Sequence, residues 1–337
     1  MLQKTYIALF LKALIVMMVV MVAVSSTAYA GSNDTKLQAN SDEVYYMITF
    51  LSGADFWKGC YLGFEEAAAL YGAKTVYAGA PEYDITKAVT VFEQIVAKKP
   101  TGIALTCMNP EPFIEPIKKA IGMGIKVVTF DSDSPQSARA SFISTDNQDA
   151  GRVAARYLAK GMGGKGNIGV IVRPAQLNVF VRYLGFKEVI EKEFPDMKIV
   201  QVIEAEGDQT KAASATAAVL QAHPEINAIF SSSGIEAVGA GTAIREAGRK
   251  DIKLLAFDTP SALLDMIENG EAWSTGVQNT YLMGYFSMIS LFHLVHDLSN
   301  PMTDWKTNPD VSPIAPFINT GINFATQGNV KHYYLRK

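Results

Sequence analysis

Acidic side chains follow two apolar segments of this 337-residue sequence at the points where those segments end. The segment Lys126–Phe130 leads into Asp131 and Asp133, and the segment Lys253–Phe257 leads into Asp258. Carboxylates accept hydrogen bonds, and together with amide and guanidinium groups they form a donor and acceptor set that suits a ligand rich in hydroxyl groups. The pattern therefore predicts recognition of a polyhydroxylated ligand.

Further residues that could contact such a ligand follow strand-like segments elsewhere in the chain. They are amides, an arginine, a serine and aromatic rings, whose flat apolar faces pack against the C–H face of a sugar ring. Each residue alone is equally well explained by helix capping or solvation, but their shared location at strand ends supports a site. The candidate ligand-binding set is Asp55, Phe56, Trp57, Asn109, Asp131, Asp133, Gln176, Asn178, Phe180, Arg182, Ser233, Asp258 and Gln278.

Three motifs that suggest nucleotide, metal or nucleophile chemistry have simpler explanations. Gly161–Gly166 fits G-x-G-x-x-G, but a helix precedes it and a strand follows, the reverse of the dinucleotide fingerprint, so we interpret it as a helix cap and loop. His293 and His296 have metal-chelating spacing, yet no other His or Cys lies nearby in sequence. Ser231–Gly234 is not a nucleophile elbow and suits a helix N-terminus. We expect no catalytic group, no metal and no cofactor.

Strand and helix patterns alternate along the chain. Val44–Leu51 is rich in β-branched and aromatic residues, and the apolar stripe that begins at Trp57 predicts a helix after it. Short continuous apolar runs such as Lys126–Phe130 are typical of strands buried on both faces of a parallel sheet. Strands alternating with helices predict βαβ units with helices on both faces. Two sheets that each present an aspartate at the strand ends predict one ligand held between two lobes.

The last part of the chain departs from this alternation. A long amphipathic helix over Tyr281–Asp297 is followed by an irregular, proline-containing stretch. The tail Phe317–Arg336 has no strong periodicity, and we expect it to cross between the lobes and add a last strand to each.

The amino terminus has the pattern of an export signal. Lys4 precedes the apolar run Ile7–Val24, and Ala28–Ala30 forms a small-residue cleavage site. The alternative is an uncleaved anchor, because the run approaches the length that spans a membrane; Lys12 within the run favours cleavage. No cysteine lies near the site, which argues against a lipid anchor. We expect residues 1–30 to be removed and the protein to act in the periplasm.

Charge and cysteine content narrow the class of protein further. Without the signal peptide the chain has 28 basic and 33 acidic residues, which argues against a nucleic-acid partner. Cys60 and Cys107 are the only cysteines, and an oxidising compartment permits a bridge between them. The sequence does not place them within bonding distance, and we expect free, buried thiols.

Several short stretches together resemble the periplasmic sugar-binding proteins of ABC importers, in the ribose- and galactose-binding branch. The resemblance covers essentially the whole mature chain. The matching stretches are Asp55-Phe56-Trp57 with Gly63, Thr129-Phe130-Asp131, Ser144-Thr145-Asp146-Asn147 with Gly151, Arg182 before Gly185-Phe186, and Ala256-Phe257-Asp258.

The resemblance implies the type 1 fold of that family, an α/β protein with two doubly wound parallel-sheet lobes joined by a three-stranded hinge. The amino-terminal lobe would comprise residues 43–131 and 279–312, and the carboxy-terminal lobe residues 132–278 and 313–337. The three crossings would lie near Asp131, Gln278 and Ser312.

The resemblance also implies roles for the candidate residues. Phe56 and Trp57 would flank the sugar, and Arg182 would contact it from the other lobe. Asn109 and Asp131 would line the amino-terminal side, and the remaining polar contacts would be Gln176, Asn178, Asp258 and Gln278.

Three positions depart from the family pattern. Ser233-Gly234 stands where Asn-Asp is frequent, Phe180 where ribose-type members carry Arg, and Asp131-Ser132-Asp133 where Asp-Arg is usual. These changes leave the identity of the ligand open among pentoses, hexoses, polyols, inositol and furanosyl signalling molecules.

The sequence thus predicts an exported, monomeric solute-binding protein that closes on a small sugar or polyol and delivers it to an ABC-type permease. A periplasmic sensor that presents its closed form to a membrane kinase or chemoreceptor would have the same fold and pocket. A LacI-type repressor core would carry an amino-terminal helix-turn-helix, where this chain has an export signal. A hydrolase using Asp131 and Asp258 as acid and base is the remaining alternative.

Overall fold

The structure, a computed structural model, describes residues 37–298 and 314–334. The predicted signal peptide and the crossing expected near Ser312 lie outside the described residues. No helix within the described ranges is long and apolar enough to cross a membrane.

The first half of the described chain contains the predicted alternation of strands and helices. A short 3-10 turn over Glu111–Phe113 precedes the third helix. The elements are β1 (Val44–Thr49), α1 (Phe56–Ala69), β2 (Lys74–Gly79), α2 (Ile85–Ala97), β3 (Gly102–Leu105), α3 (Ile114–Gly122), β4 (Lys126–Phe130) and β5 (Phe142–Ser144).

The second half repeats this scheme and ends with two short strands. A 3-10 turn over Val330–His332 follows the last strand. The elements are α4 (Asn147–Met162), β6 (Gly166–Val172), α5 (Leu177–Glu193), β7 (Met197–Glu204), α6 (Gln209–Ala222), β8 (Ala228–Ser231), α7 (Gly234–Glu246), β9 (Lys253–Phe257), α8 (Ser261–Glu268), β10 (Ser274–Gln278), α9 (Thr280–His296), β11 (Phe317–Asn319) and β12 (Ile322–Ala325).

The strands form two six-stranded sheets with equivalent orders. One sheet has the order β2-β1-β3-β4-β5-β11 and the other β7-β6-β8-β9-β10-β12. All pairs are parallel except β10 with β12, which are antiparallel. Each sheet belongs to one lobe, so the predicted fold class of two doubly wound parallel-sheet lobes is confirmed.

Alternate side chains of each central strand pack into layers on opposite faces of the sheet. In the second lobe, Ile229 and Leu254 belong to the layer beneath α6, α7 and α8, whereas Phe230 and Leu255 belong to the layer beneath α4 and α5. This alternation follows from the two-residue period of a strand. Both faces are apolar, and this is why the strand sequences read as continuous hydrophobic runs.

Three segments cross between the lobes, and two of them differ from the sequence-based expectation. The second crossing lies after Gln278, as predicted. The first crossing follows Ser144 rather than Asp131, because β5 pairs with β4 in the first sheet. The third crossing lies between Asn319 and Ile322, because β11 pairs with β5 in the first sheet and β12 belongs to the second. Residues 132–144 and 317–319 are therefore corrected to the first lobe. The tail does add a strand to each sheet, as the sequence predicts.

The glycine-rich motif and the histidine pair have the structural roles that the sequence indicates. Gly163 ends α4 in the left-handed conformation (φ 70°), and its N–H binds the last turn of the helix. His296 Nε2 lies 3.0 Å from Glu43 Oε2, which ties the end of α9 to the start of β1. His293 Nε2 lies 3.4 Å from the Tyr71 hydroxyl.

An equivalent pair of helices in each lobe crosses at glycines. The motif Tyr-Leu-Gly-Phe occurs in α1 at residues 61–64 and in α5 at residues 183–186. A Cβ atom on Gly284 of α9 would lie 1.7 Å from the carbonyl oxygen of Cys60, and one on Gly151 of α4 would lie 1.9 Å from that of Arg182. Helices α9 and α4 directly follow two of the crossings, so these close contacts fix the lobes to the hinge.

We expect Gly151→Ala and Gly284→Ala each to lower the free energy of unfolding by about 2–3 kcal/mol, because the added methyl group meets a backbone carbonyl that cannot rotate away. Denaturant titration with a two-state fit measures the change. Gly122→Ala is the control, because a Cβ atom there meets nothing within 4 Å in its helix; it should be neutral or gain up to about 1 kcal/mol. Equal stability of all three variants would contradict the close-contact explanation.

Candidate ligand-binding site

Asp131 and Asp258 occupy equivalent positions in the two lobes, directly after β4 and β9. Both have left-handed backbone conformations, with φ of 58° and 65°, which are uncommon for residues other than glycine but tolerated by aspartate. The N–H of each donates to a carbonyl of the neighbouring strand, Asp131 to Ile143 at 3.2 Å and Asp258 to Gly276 at 2.8 Å. Repetition of this strained geometry at both strand ends indicates a functional position.

Arg182, on α5, lies buried between the two carboxylates. Its side chain is 1% exposed; Nε donates to Asn147 Oδ1 at 2.7 Å and Nη1 to the Ser232 carbonyl at 3.1 Å. The guanidinium carbon lies 4.7 Å from the Phe257 ring centroid, and Nη1 lies 3.9 Å from Asp258 Oδ2. Burial lowers the pKa of Arg182, while the charges of Asp258 and Asp131 oppose that shift.

Three predicted site residues each have a buried polar atom without a hydrogen-bond partner. Within the described ranges six side-chain N or O atoms are in this state, and three of them are Trp57 Nε1, Arg182 Nη2 and Gln278 Oε1. The other amide atom of Gln278, Nε2, donates to Asp258 Oδ1 at 2.8 Å. Buried polar groups in proteins are nearly always paired. This set offers two donors and one acceptor, the complement of hydroxyl groups.

The electrostatics of the site favour a neutral ligand. Burial raises the pKa of Asp131 to about 6, opposed by a hydrogen bond from Ser132 and by the charge of Arg182, while Asp258 raises the pKa further. An anionic ligand would meet two carboxylates and a single guanidinium that already interacts with both. Hydroxyl groups would instead donate to the carboxylates and accept from Arg182 and Trp57.

The aromatic candidates come from both lobes, Phe56 and Trp57 from α1 and Phe180 from α5. Trp57 is buried and makes edge-to-face contacts with Phe50, Phe56 and Phe130 at centroid distances of 5.2, 4.8 and 5.9 Å. Phe56 is only partly buried, so it could present a ring face to a ligand. Phe180, also partly buried, lies 5.9 Å from the Tyr183 ring.

Asp133 lines the cavity described below and is also held by an ion pair. Arg139 binds it in a bidentate manner, with Nε 2.8 Å from Oδ1 and Nη2 2.5 Å from Oδ2, and the Thr129 hydroxyl donates to Oδ1. Asp133 thus supports the loop after β4, and its role as a ligand contact stays a prediction. Asp55 and Asn109 are exposed, and Asp55 pairs with Lys58 at 2.7 Å; their roles stay predictions.

Gln176 and Ser233 belong to a second buried network, centred on residues that the sequence pattern did not identify. Glu236, 1% exposed, accepts from Arg173 Nε at 2.9 Å and Nη2 at 2.8 Å. Arg173 also donates to Gln176 Oε1 at 2.6 Å and to Ser233 Oγ at 3.2 Å. Arg173 follows the apolar run of β6 directly, the same signal that identified Asp131 and Asp258.

Tyr83, from the first lobe, approaches this network and was not a candidate either. Its ring makes an edge-to-face contact with Phe50 at 5.5 Å. Burial raises the pKa of Tyr83, and the charge of Arg173 in the second lobe opposes that shift. Tyr83 and Arg173 therefore influence each other electrostatically from opposite lobes.

A cavity of about 280 Å³ lies beside Asp131 and is lined by residues of both lobes. Asn147 and Asn178 line it from the second lobe and Cys107 from the first. Cys107 and Cys60 are free and buried, as the sequence predicts, and burial raises the pKa of both thiols. Among the described residues no group of three or more His, Cys, Asp or Glu side chains forms a candidate metal site.

We expect the ligand-free protein to lose stability as the pH rises through the folded-state pKa of Asp131. The pKa of Asp131 is about 6 in the folded protein and about 3.9 in an unfolded chain, so the folded form binds the proton more tightly. The bound proton therefore adds about 3 kcal/mol to the free energy of unfolding at low pH, and this contribution is lost between pH 4 and pH 7. Urea titrations of the wild type and Asp131→Asn across this range measure it. The variant should gain stability relative to the wild type as the pH rises, and parallel profiles would contradict the assignment.

Comparison with known proteins is consistent with this geometry. A family model described as "Periplasmic binding protein domain" matches residues 44–296. The crystal structure of a sugar-binding protein of a sugar ABC transporter from Bacillus halodurans is 39% identical, with a TM-score of 0.83, and the match covers 87% of this chain and 100% of that one. AraP, an arabinose-binding protein from Geobacillus stearothermophilus, is also 39% identical, with a TM-score of 0.81 and the same coverage.

Among curated relatives, a D-apiose import binding protein from Paraburkholderia graminis is 28% identical over 197 residues, covering 58% of this chain. The matched part spans 63% of that relative, a little under two thirds of its length. The resemblance inferred from the short motifs is confirmed, and the expectation of a binding protein rather than an enzyme agrees with the family. The chain belongs to the periplasmic binding protein family.

Proposed function

We propose that the protein captures a small neutral sugar or polyol between its lobes and delivers it to an ABC-type membrane permease. Three residues with unpaired buried polar atoms carry this proposal: Arg182 and Gln278 both approach Asp258, and Trp57 packs against Phe130, the residue before Asp131. A ligand with several hydroxyl groups satisfies donors and acceptors of both kinds at once. The names of the similar proteins, which include sugar, arabinose and D-apiose binding, support the same class.

The proposed mechanism is closure of the lobes on the ligand. Asp131 belongs to the first lobe, whereas Arg182 and Asp258 belong to the second, and the three charges interact with one another. A ligand that contacts both lobes binds the closed form better than the open form, so it shifts the population towards closure. The permease would then distinguish the closed, loaded protein from the open one.

The cellular context is part of the proposal. Residues 1–30 would direct export and be cleaved after Ala30, leaving a monomer in the periplasm. The membrane partner would be the subunits of an ABC permease. A membrane receptor would use the same pocket and the same closure, and crosslinking of the loaded protein in native membranes, followed by identification of the captured subunit, distinguishes the two.

We expect a thermal-shift screen of the protein from Gly31 onward to identify a ligand among both enantiomers of arabinose, D-apiose, D-ribose, D-galactose, sorbitol and myo-inositol. A ligand at about a hundred times its Kd stabilises the folded state by about 2.7 kcal/mol, which raises Tm by about 5–10 °C for lobes of this size. No shift with any of these compounds, after unfolding and refolding to remove carried-over ligand, would contradict the proposal.

We expect Trp57→Phe to weaken binding of the ligand found in that screen by about tenfold, because the variant keeps an aromatic ring but loses the Nε1–H donor. Isothermal titration calorimetry measures the change. Trp273→Phe is the matched control: this ring stacks on Tyr157 in the second lobe and should leave affinity unchanged. Equal affinity of Trp57→Phe and wild type would remove Trp57 from the site.

A further inference from the structure

The cavity beside Asp131 differs in character from the cluster of unpaired polar atoms. Much of its wall is apolar, and the wall combines the first lobe, the hinge and the second lobe. The residues that give it this character are Cys107, Met108, Phe142, Leu177, Val181 and Phe317. A volume of about 280 Å³ is at the lower end of the range for small-molecule pockets.

About half of the residues that line the cavity are polar, and several of them already have partners. Asn147 accepts from Arg182 and donates to the Thr145 carbonyl at 3.1 Å. Asn178 Oδ1 accepts from the N–H of Val179 at 3.0 Å, and Asp133 is held by Arg139. The unpaired atoms of Trp57, Arg182 and Gln278 belong to residues outside the cavity wall. Hydroxyl groups are therefore best satisfied on the Arg182 side, and the cavity suits a group that needs few hydrogen bonds.

Two residues connect the cavity with the surroundings of Arg182. Asp131 and Asn147 line the cavity, and both also act on Arg182, Asn147 by a hydrogen bond and Asp131 by its charge. Between them, the short Ser132 side chain folds back to donate to Asp131 at 2.8 Å. A ligand bound at Arg182 would therefore lie beside Asp131 and Asn147, next to the cavity that these two residues line.

We propose that the ligand is a sugar carrying an apolar substituent, an alkyl or aryl glycoside, whose sugar ring lies at Arg182 and whose substituent occupies this cavity. The inference rests on the proposed function and narrows its substrate class. It assigns Leu177 and Val181, which the family resemblance does not mark as ligand contacts, to specificity for the substituent.

The test compares free sugars with their methyl and 4-nitrophenyl glycosides, both anomers of each, by calorimetry on the protein from Gly31 onward. One anomer of a 4-nitrophenyl glycoside should bind at least about tenfold more tightly than the corresponding methyl glycoside, because its ring buries more apolar surface. Leu177→Trp, at the exposed start of α5, and Val181→Phe both fill the cavity. They should weaken binding of the nitrophenyl glycoside by more than tenfold while changing binding of the free sugar by less than about twofold.

Each outcome has a separate meaning. If free sugars bind and no glycoside binds more tightly than its parent sugar, or if both filling variants weaken sugar and glycoside equally, the glycoside inference is wrong and the proposed sugar-binding function stands. If only glycosides bind, the inference is supported, and the ligands of the proposed function are glycosides rather than free sugars. If neither class binds, both are wrong.

Discussion

The organisation of this protein depends on a guanidinium group held out of water. Arg182 is almost completely buried, and a buried charge is tolerated only when other groups compensate it. The compensation comes from separate parts of the chain: Asn147 at the start of the helix after the first crossing, the Ser232 carbonyl after β8, the Phe257 ring at the end of β9, and the charges of Asp131 and Asp258. Asp131 belongs to the other lobe, so its electrostatic interaction with Arg182 acts between the two lobes.

The repeated architecture explains how the chain positions these groups. Equivalent strands, β4 and β9, end in left-handed aspartates, and equivalent helix pairs, α1 with α9 and α5 with α4, cross at glycines. In the second lobe the tight crossing brings Arg182 next to Gly151, only four residues after Asn147. A residue larger than Gly151 would prevent this close approach. The same approach places Arg182 beside its hydrogen-bond partner Asn147. The second network, built on Arg173 and Glu236, lies at the strand ends of the second lobe. Tyr83 of the first lobe is close enough for the charge of Arg173 to affect its pKa.

Sequence patterns predict much of this structure because they reflect local physical requirements. Continuous apolar runs require buried parallel strands, and an acid directly after such a run lies at the carboxyl edge of the sheet, so the positions of Asp131 and Asp258 at that edge were predictable. The strands β5 and β11 were not, because three residues are too few to show a period, and the lobe boundaries shifted accordingly. Asp133 has the same sequence context as Asp131, and only the folded loop shows that Arg139 binds it. Arg173 had the right position, but its partner Glu236 lies 63 residues away, a pairing that no local pattern encodes.

The central claim is that hydroxyl groups of one ligand pair with the unpaired atoms of Trp57, Arg182 and Gln278. A crystal structure of the protein with the ligand found by screening tests it most directly. The account predicts a single ligand between the lobes with oxygen atoms within about 3.2 Å of Trp57 Nε1, Arg182 Nη2 and Gln278 Oε1. A ligand bound elsewhere, or one in the cleft that leaves these three atoms to water or to other protein groups, would contradict it.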